Sequence, residues 1–328
     1  MSDNTLLEIR GLKKYFDAGR TGLFSGEPRR VHAVDDVSLT LHRGEVIALV
    51  GESGCGKSTL GLLLMGLEDP TAGSVLLENR DITHLNDRQR KSLRRKIQMV
   101  FQDPYESLNP TQTIGEIVTE PLAVHGIGDA ALREERARKA LEDAGLKPAD
   151  TYLPRYPHEL SGGQRQRVVI AAALVLEPEI IVADEPVSML DVSIRAEVIN
   201  LLAELRATRQ IAVIFITHDL GSVGFFADRV AVMYLGRIVE IGDMLDVLEN
   251  AQHPYTKALL SVIPVPNPRM RHEHIILQGE TPNPVNLPGG CRFHPRCPVA
   301  VEACKHNDPP LVAVGAAHQA ACLFVGVK

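Results

Sequence analysis

The sequence predicts an α/β fold built on a mostly parallel sheet, and three observations predict it. Glu45-Val46-Ile47-Ala48-Leu49-Val50, Ile180-Ile181-Val182-Ala183 and Ile211-Ala212-Val213-Ile214-Phe215-Ile216 are short continuous apolar runs, the pattern of strands covered on both faces. A helical pattern from Val192 to Arg206 separates the last two, which is the rhythm of a parallel crossover. Beyond about Asn250 prolines crowd together (Pro254, Pro264, Pro266, Pro268, Pro282, Pro284, Pro288) and helical periodicity disappears, which marks a separate irregular extension.

Taken in order, the stretch from Leu6 to Val50 alternates short apolar runs with turn signals, as in Leu6-Leu7-Glu8-Ile9 and Val37-Ser38-Leu39-Thr40-Leu41. It therefore opens the fold with an antiparallel β subdomain. The run ending at Val50 leads into a glycine-rich loop and a helical segment from Lys57 to Leu67. From Thr113 to about Pro157 strand signals fade. A charged amphipathic segment from Ala130 to Ala144, ended by Gly145, points to a helical insertion, and a further helix is expected from Arg165 to Leu176. No internal repeat or low-complexity tract interrupts the chain.

A chain of 328 residues with 45% hydrophobic content can bury a large core and supports one big domain plus an appendage. Its net charge of -6 argues against nucleic acid as a partner, because such binding depends mainly on neutralising phosphates. The basic run from Arg88 to Lys96 is read as a solvated helix face and receives no role. No window approaches the roughly 20 apolar residues of a membrane span, and the polar start Met1-Ser2-Asp3-Asn4 lacks the regions of a signal peptide. The chain is expected in the cytosol, reaching a membrane only through a partner.

Gly51-Glu52-Ser53-Gly54-Cys55-Gly56-Lys57-Ser58 fits G-x-x-x-x-G-K-[ST] between a predicted strand and a predicted helix, the context that makes the match specific. Glycines let backbone N–H groups curl around phosphate oxygens, and the following helix N-terminus adds its positive end. Lys57 is expected on the β- and γ-phosphates and Ser58 on Mg²⁺, with Thr59 completing the ATP-binding set. Cys55 is counted in the ATP-binding loop by position, with its thiol read as a loop residue that has no role of its own. Asp184-Glu185 ends a buried strand where open α/β sheets place ligands, so Asp184 is expected at the Mg²⁺ shell and Glu185 as general base for the attacking water. Ser161-Gly162-Gly163-Gln164 opens a helix and forms a second natural phosphate site, which one chain cannot readily bring to the same γ-phosphate.

Together the P-loop, Leu160-Ser161-Gly162-Gly163-Gln164, Ala183-Asp184-Glu185-Pro186, Ser188-Met189-Leu190-Asp191 and Ile216-Thr217-His218-Asp219 resemble an ABC transporter ATPase from about residue 6 to 245. Two further stretches, Gln102-Asp103-Pro104-Tyr105-Glu106-Ser107-Leu108-Asn109-Pro110 and His253-Pro254-Tyr255-Thr256-Lys257-Ala258-Leu259-Leu260, are similar to the dipeptide and oligopeptide importer ATPases. With Leu12-Lys13-Lys14-Tyr15-Phe16, the chain resembles their F-type subunit.

That resemblance implies a P-loop NTPase core over 1–250, with a helical subdomain at about 103–160, and a C-terminal extension over 251–328. It implies a head-to-tail pair in which Ser161, Gly162, Gly163 and Gln164 face the partner's nucleotide and Asp191 speaks across the interface. Gln102 is implied as the Q-loop glutamine at Mg²⁺ and the water, His218 as the γ-phosphate switch, and Phe16 as the adenine platform, with Tyr15 as the alternative. Such stacking contributes about 1–3 kcal/mol by analogy with base–aromatic contacts. Met189 departs from the alanine common at its position. Implied partners are a related D-type ATPase, two membrane-spanning permease subunits and, indirectly, an external substrate-binding protein, with the chain at the cytoplasmic face of the inner membrane. Related nickel and glutathione importers share the pattern, and a soluble ABC ATPase is the more distant alternative.

Cys291, Cys297, Cys304 and Cys322 are spaced C-x5-C-x6-C-x17-C among Pro288, Gly289, Gly290, Pro295 and Pro298. Four soft ligands suit Zn²⁺ or an iron–sulfur cluster, and buried free cysteines are the plain alternative. The absence of a close C-x2–4-C pair leans toward the larger group, and the family resemblance also implies a [4Fe-4S] cluster on this extension.

Overall fold

The computed structural model describes residues 4–20, 28–263 and 274–325. Met1-Ser2-Asp3 and the prolines at 264, 266 and 268 lie outside the described residues.

Strands β1 (Thr5–Arg20) and β2 (Pro28–His42) pair antiparallel. β3 (Val46–Val50), buried throughout, runs into the glycine-rich loop and α1 (Lys57–Leu64). This helix stops short of the expected Leu67 because the chain turns at Gly66, whose φ of 59° is left-handed. β4 (Ala72–Leu77) and β5 (Arg80–Asp81) then join β1, completing an antiparallel sheet in the order β2-β1-β4-β5. The basic run forms α2 (Asp87–Lys96), opened by an Asn86–Gln89 capping box and burying only Leu93. It is the solvated face expected of it.

β6 (Ile97–Val100) leads to α3 (Pro104–Ser107), α4 (Ile114–His125) and α5 (Ala130–Asp143). A Thr113–Glu116 capping box starts α4 and a left-handed Gly126 ends it. The insertion packs on α6 (Gly162–Leu174) through Ile114, Val118, Leu122, Ala137, Leu141 and Val168. β7 (Ile180–Asp184) and α7 (Val192–Arg209) follow, the helix ending at Gln210 with φ 54°. Then come β8 (Ala212–Thr217), α8 (Leu220–Val223), β9 (Arg229–Tyr234), β10 (Arg237–Asp243) and α9 (Met244–Asn250).

The central sheet runs β11-β12-β10-β9-β3-β8-β7-β6, and its strands from β9 to β6 are parallel. Alternate residues of each inner strand feed separate cores. Val46, Ala48 and Val50 face the helical side, while Ile47 and Leu49 face the antiparallel sheet. Phe215 and Ile214 on β8 split in the same way. Each fully buried aliphatic chain stabilises the fold by roughly 1.5–3 kcal/mol, so these unbroken runs fix the sheet that carries the loops.

The extension is less irregular than its sequence indicates. It opens with α10 (Pro254–Ser261), where no helical periodicity is legible, and it ends with β11 (Val312–Ala313) and β12 (Gln319–Ala320), which adds β12 to the edge of β10. The short helix forms because His253 caps it and Pro254 occupies its first turn. Arg292 pairs with Asp35, Arg237 with Asp308, and the buried Glu240 accepts N–H groups from Gln252 and His253 while meeting His318 at 2.7 Å. Among the described residues no helix is long and apolar enough to cross a membrane.

Candidate functional site

Four loops leave the carboxyl ends of neighbouring parallel strands and converge on one cleft of about 770 Å³. β3 delivers the glycine-rich loop, β6 delivers Gln102, β7 delivers Glu185 and β8 delivers His218. Gly51, Glu52, Ser53, Gly54, Gly56, Lys57, Ser58 and Thr59 all line this space. Cys55 does not. Its side chain is buried in the core, and burial pushes the thiol above its ordinary value.

Two glycines make the loop possible. Gly56 has φ 106°, and a Cβ there would sit on the Ala33 carbonyl oxygen; at Gly51 it would meet the Met233 carbonyl. Gly56 offers α1 no side-chain cap, which leaves the first helical N–H groups directed at the cleft for an anion. Lys57 is buried, its Nζ donating to the carbonyls of Gly51 at 2.7 Å and Glu52 at 2.9 Å.

Asp184 ends β7 with Oδ1 buried and lacking a hydrogen-bond partner. Burial raises its carboxyl above the ordinary range, opposed by a hydrogen bond with Ser58. An orphaned carboxylate oxygen beside a serine hydroxyl is a donor set that suits Mg²⁺. Glu185 follows with a left-handed φ of 46°, a costly conformation for a non-glycine residue, while its N–H donates to Ile216 at 2.9 Å. Its Oε2 receives Gln102 Nε2 at 3.3 Å and lies 3.1 Å from His218 Nδ1. A carboxylate, an amide and an imidazole thus meet at one oxygen.

On β1 the alternation separates the two candidate aromatics. The Tyr15 hydroxyl donates to Asp35 at 2.5 Å, whereas Phe16 lines the cleft with the Lys14 ammonium 4.7 Å from its ring centre. Ser161 caps α6: its hydroxyl accepts the Gln164 N–H at 3.3 Å, and the Gln164 side chain accepts the Ser161 N–H at 3.0 Å. Gly162 and Gly163 form the first turn of that helix. Asp191 is exposed at the start of α7, with no cap bond from its side chain. Neither segment lines this chain's cleft.

Comparison with known proteins agrees with this geometry. Residues 34–188 match the family described as ABC transporter, and residues 239–304 match the oligopeptide/dipeptide transporter C-terminal region. The chain is 49% identical to a putative peptide import ATP-binding protein of Brucella ovis, covering 98% of this chain and 99% of that one. It belongs to the ABC transporter ATPases. This ABC ATPase is also 48% identical to the oligopeptide transport ATP-binding protein AppF of Bacillus subtilis, covering 98% of both chains. With the dipeptide transport ATP-binding protein DppF of Haemophilus influenzae it shares 50% identity over 95% of this chain and 94% of that one. Among solved structures, a dimeric ATP-binding cassette in a post-hydrolysis state with ADP and Pi superposes with TM-score 0.64 at 30% identity, covering 73% of this chain and 99% of that one.

Outside the motifs, the cleft of this ABC ATPase is also lined by Val31, Ala33, Leu259 and Pro284, which the sequence does not single out as site residues. Leu259 lies in the His253–Leu260 stretch noted only for its resemblance, and Pro284 was one proline among many. Both come from the extension.

The four extension cysteines are free and half-buried to buried. Cys291 N–H donates to the Cys304 carbonyl at 2.9 Å, which sets two of them side by side. Burial first, and then the charges of Cys304, Cys322 and Cys297, push the Cys291 thiol up to about 11. Cys291, Cys297 and Cys322 each receive a backbone N–H from the residue two positions on, Phe293, Val299 and Phe324. Among the described residues, however, no group of three or more His, Cys, Asp or Glu side chains is gathered closely enough to hold a metal ion.

Proposed function

We infer that this ABC ATPase is the ATP-binding subunit of a peptide importer and drives uptake of dipeptides or oligopeptides through partner permeases at the cytoplasmic face of the inner membrane. The observation that carries the reading is a cleft gathering the glycine-rich loop, Lys57, Gln102, Glu185 and His218 in a chain that also matches the oligopeptide/dipeptide transporter C-terminal region. Nickel and glutathione importers are less favoured, because the relatives reported above are named for peptides. Reconstitution with two permease subunits and an external binding protein tests it. ATP-dependent peptide uptake is expected, and uptake of nickel or glutathione alone would replace the peptide reading.

In this reading residues 1–250 form the ATPase domain, with the helical part at about 103–160, and 251–328 the extension. Lys57 and the backbone from Gly51 to Thr59 bind the phosphates, while Phe16 stacks on adenine. Ser58, Gln102 and Asp184 would hold Mg²⁺, which would supply neutralisation of phosphate charge. Glu185, oriented by Gln102 and His218, accepts the proton of the attacking water as its oxygen bonds γ-phosphorus and the bond from γ-phosphorus to the β–γ bridging oxygen breaks, leaving ADP and phosphate. His218, exposed at the cleft, donates toward the γ-phosphate.

Ser161, Gly162, Gly163 and Gln164 serve the nucleotide of a second ATPase across an interface at Asp191, and a related D-type subunit is the partner we favour over a second copy. The uncapped side chain of Asp191 and the absence of the signature segment from its own cleft support that arrangement. Mass measurement of the assembled transporter decides between them, since two copies of this chain and no second ATPase would exclude the heteromer.

For the cysteines we favour a [4Fe-4S] cluster over Zn²⁺. The four thiols are free and soft ligands, which supports this reading, but they are not gathered to metal-binding distance in this structure, so the reading requires them to converge on the group. Held there, the group cross-links an extension with little core of its own; transport requires no redox step. Anaerobic purification should give a brown protein with about four irons and four sulfides, whereas a colourless protein with stoichiometric zinc would establish a zinc site.

A further inference from the structure

Glu52, the second residue of the phosphate-binding loop, is held from two sides. Its N–H donates to the Tyr255 hydroxyl at 2.8 Å, and its carbonyl accepts Lys57 Nζ at 2.9 Å. Its carboxylate takes Arg296 in fork fashion, Nη1 on Oε2 at 2.7 Å and Nη2 on Oε1 at 3.1 Å, and accepts the Thr281 hydroxyl at 2.6 Å. Every polar group of this residue is used. Three of its five partners, Tyr255, Thr281 and Arg296, lie in the extension, more than 200 positions along the chain, the other two being Lys57 and Cys55 of the loop itself.

Those partners are themselves fixed. Tyr255 is fully buried, its ring 4.8 Å from that of Tyr234 and 5.4 Å from that of Phe293. Arg296 keeps only 9% of its side chain exposed and closes the short turn His294–Arg296 between Cys291 and Cys297. The segment after Thr281 continues to the mouth of the cleft, where the Pro284 carbonyl accepts the His32 N–H at 3.1 Å and Pro284 lines the nucleotide space.

A carboxylate in this loop faces the place where triphosphate charge must sit, and two negative groups at short range in a partly buried site repel strongly. A bidentate arginine removes that repulsion and fixes the carboxylate's direction. Lys57 bonds to the carbonyl of the same residue, so the peptide Arg296 steadies through the side chain is also the one that aims the lysine. We propose that Arg296, with Thr281 and Tyr255, is a positioning clamp supplied by the extension: it neutralises Glu52 and holds the phosphate-binding loop in the form that accepts ATP.

The test uses the full chain and compares its affinities for ATP, ADP and AMP by calorimetry at low salt. Arg296→Ala should weaken ATP about ten-fold, the equivalent of ~1.4 kcal/mol of restored repulsion, with a smaller loss for ADP and almost none for AMP. Adding Glu52→Gln to Arg296→Ala should bring ATP affinity back to within about three-fold of the parent, because the uncompensated charge is gone. Arg296→Lys should recover part of the loss, since it keeps charge without the fork. Thr281→Val, a milder change that serves should Arg296→Ala fail to fold, should lower ATP affinity about two-fold and more than AMP affinity. Lys305→Ala, which removes only a surface pair with Glu302, is the control for the extension. Unchanged ATP affinity in both Arg296→Ala and Thr281→Val would overturn the proposal. So would equal losses for ATP and AMP, or a double variant no better than Arg296→Ala.

Discussion

Lys57, Gln102, Glu185 and His218 each follow closely on a buried parallel strand, whereas Cys304 sits on a four-residue turn and Cys291, Cys297 and Cys322 lie in irregular chain beside such short elements. The cleft inherits its geometry from the main core, because its loops leave strands that are buried on both faces. The extension has mostly local hydrogen bonds and a few long-range ties, chiefly Arg292 to Asp35, Arg296 to Glu52 and His318 to Glu240. The same chain thus carries one site fixed by burial and another that depends on what it is attached to.

The sharpest way to break this comparison is at Glu185. Glu185→Gln should lower kcat about 10²- to 10⁴-fold while leaving ATP affinity near that of the parent, because the amide keeps the shape and loses the base. Single-turnover hydrolysis measured alongside equilibrium nucleotide binding checks it. Turnover close to the parent rate would remove Glu185 from the chemistry.

A cysteine variant probes the other side. If the thiols hold the proposed cluster, Cys304→Ser should cost the anaerobically purified protein most of its iron and make residues beyond 274 the first to be cleaved in limited proteolysis, with the central sheet intact. Its ATP affinity should fall toward that of Arg296→Ala, since the turn bearing Arg296 is tied to the same cysteines. Full metal content in Cys304→Ser would show that the thiols do not act as a set.

The comparison also explains what could be read from the sequence. Continuous apolar runs such as Val46–Val50 and Ile180–Ala183 have one physical meaning, a strand buried on both faces, so the residues after them could be placed on one edge of the sheet. The extension offered no such period. α10 is short and starts at a proline, and β12 has two residues, so neither carries a repeat long enough to see. The contacts of Tyr255, Thr281 and Arg296 with Glu52 were invisible for a different reason: nothing in a linear pattern joins residues so far apart except the fold itself.

Phe16 tests how far the cleft depends on its antiparallel edge. Phe16→Ala should weaken ATP by about 1–3 kcal/mol, the range for base–aromatic stacking, with AMP weakened equally because the contact is to the base. Tyr15→Phe, which removes only the hydroxyl bonded to Asp35, should leave affinity unchanged. Nucleotide competition assays on both variants check the pair, and unchanged ATP and AMP affinity in Phe16→Ala would remove Phe16 from the adenine contact.

The smallest expected effect lies at the joint between the two regions. His253 is buried, caps α10 by accepting the Tyr255 N–H on Nδ1 at 3.1 Å, and packs 5.5 Å from the Phe293 ring. Burial, and secondarily the Lys257 charge, push its imidazole down to about 3. Glu240 bonds the backbone N–H of His253 and does not remove that penalty. In the unfolded chain the ring protonates near pH 6.5, while the folded ring stays neutral until far lower pH, so the unfolded state binds the extra proton across that window. Stability from this group is therefore complete above about pH 6.5 and falls by about 1.4 kcal/mol per unit as the pH drops toward 3. His253→Asn keeps a side-chain cap without a titrating ring. Urea midpoints measured between pH 7.5 and 5.5 should therefore fall less in His253→Asn than in the parent, by about 1.4 kcal/mol at the acid end. Because α10 carries Tyr255, ATP affinity should follow the same difference; parallel slopes in the two proteins would mean that the ring is not the group that loosens the joint.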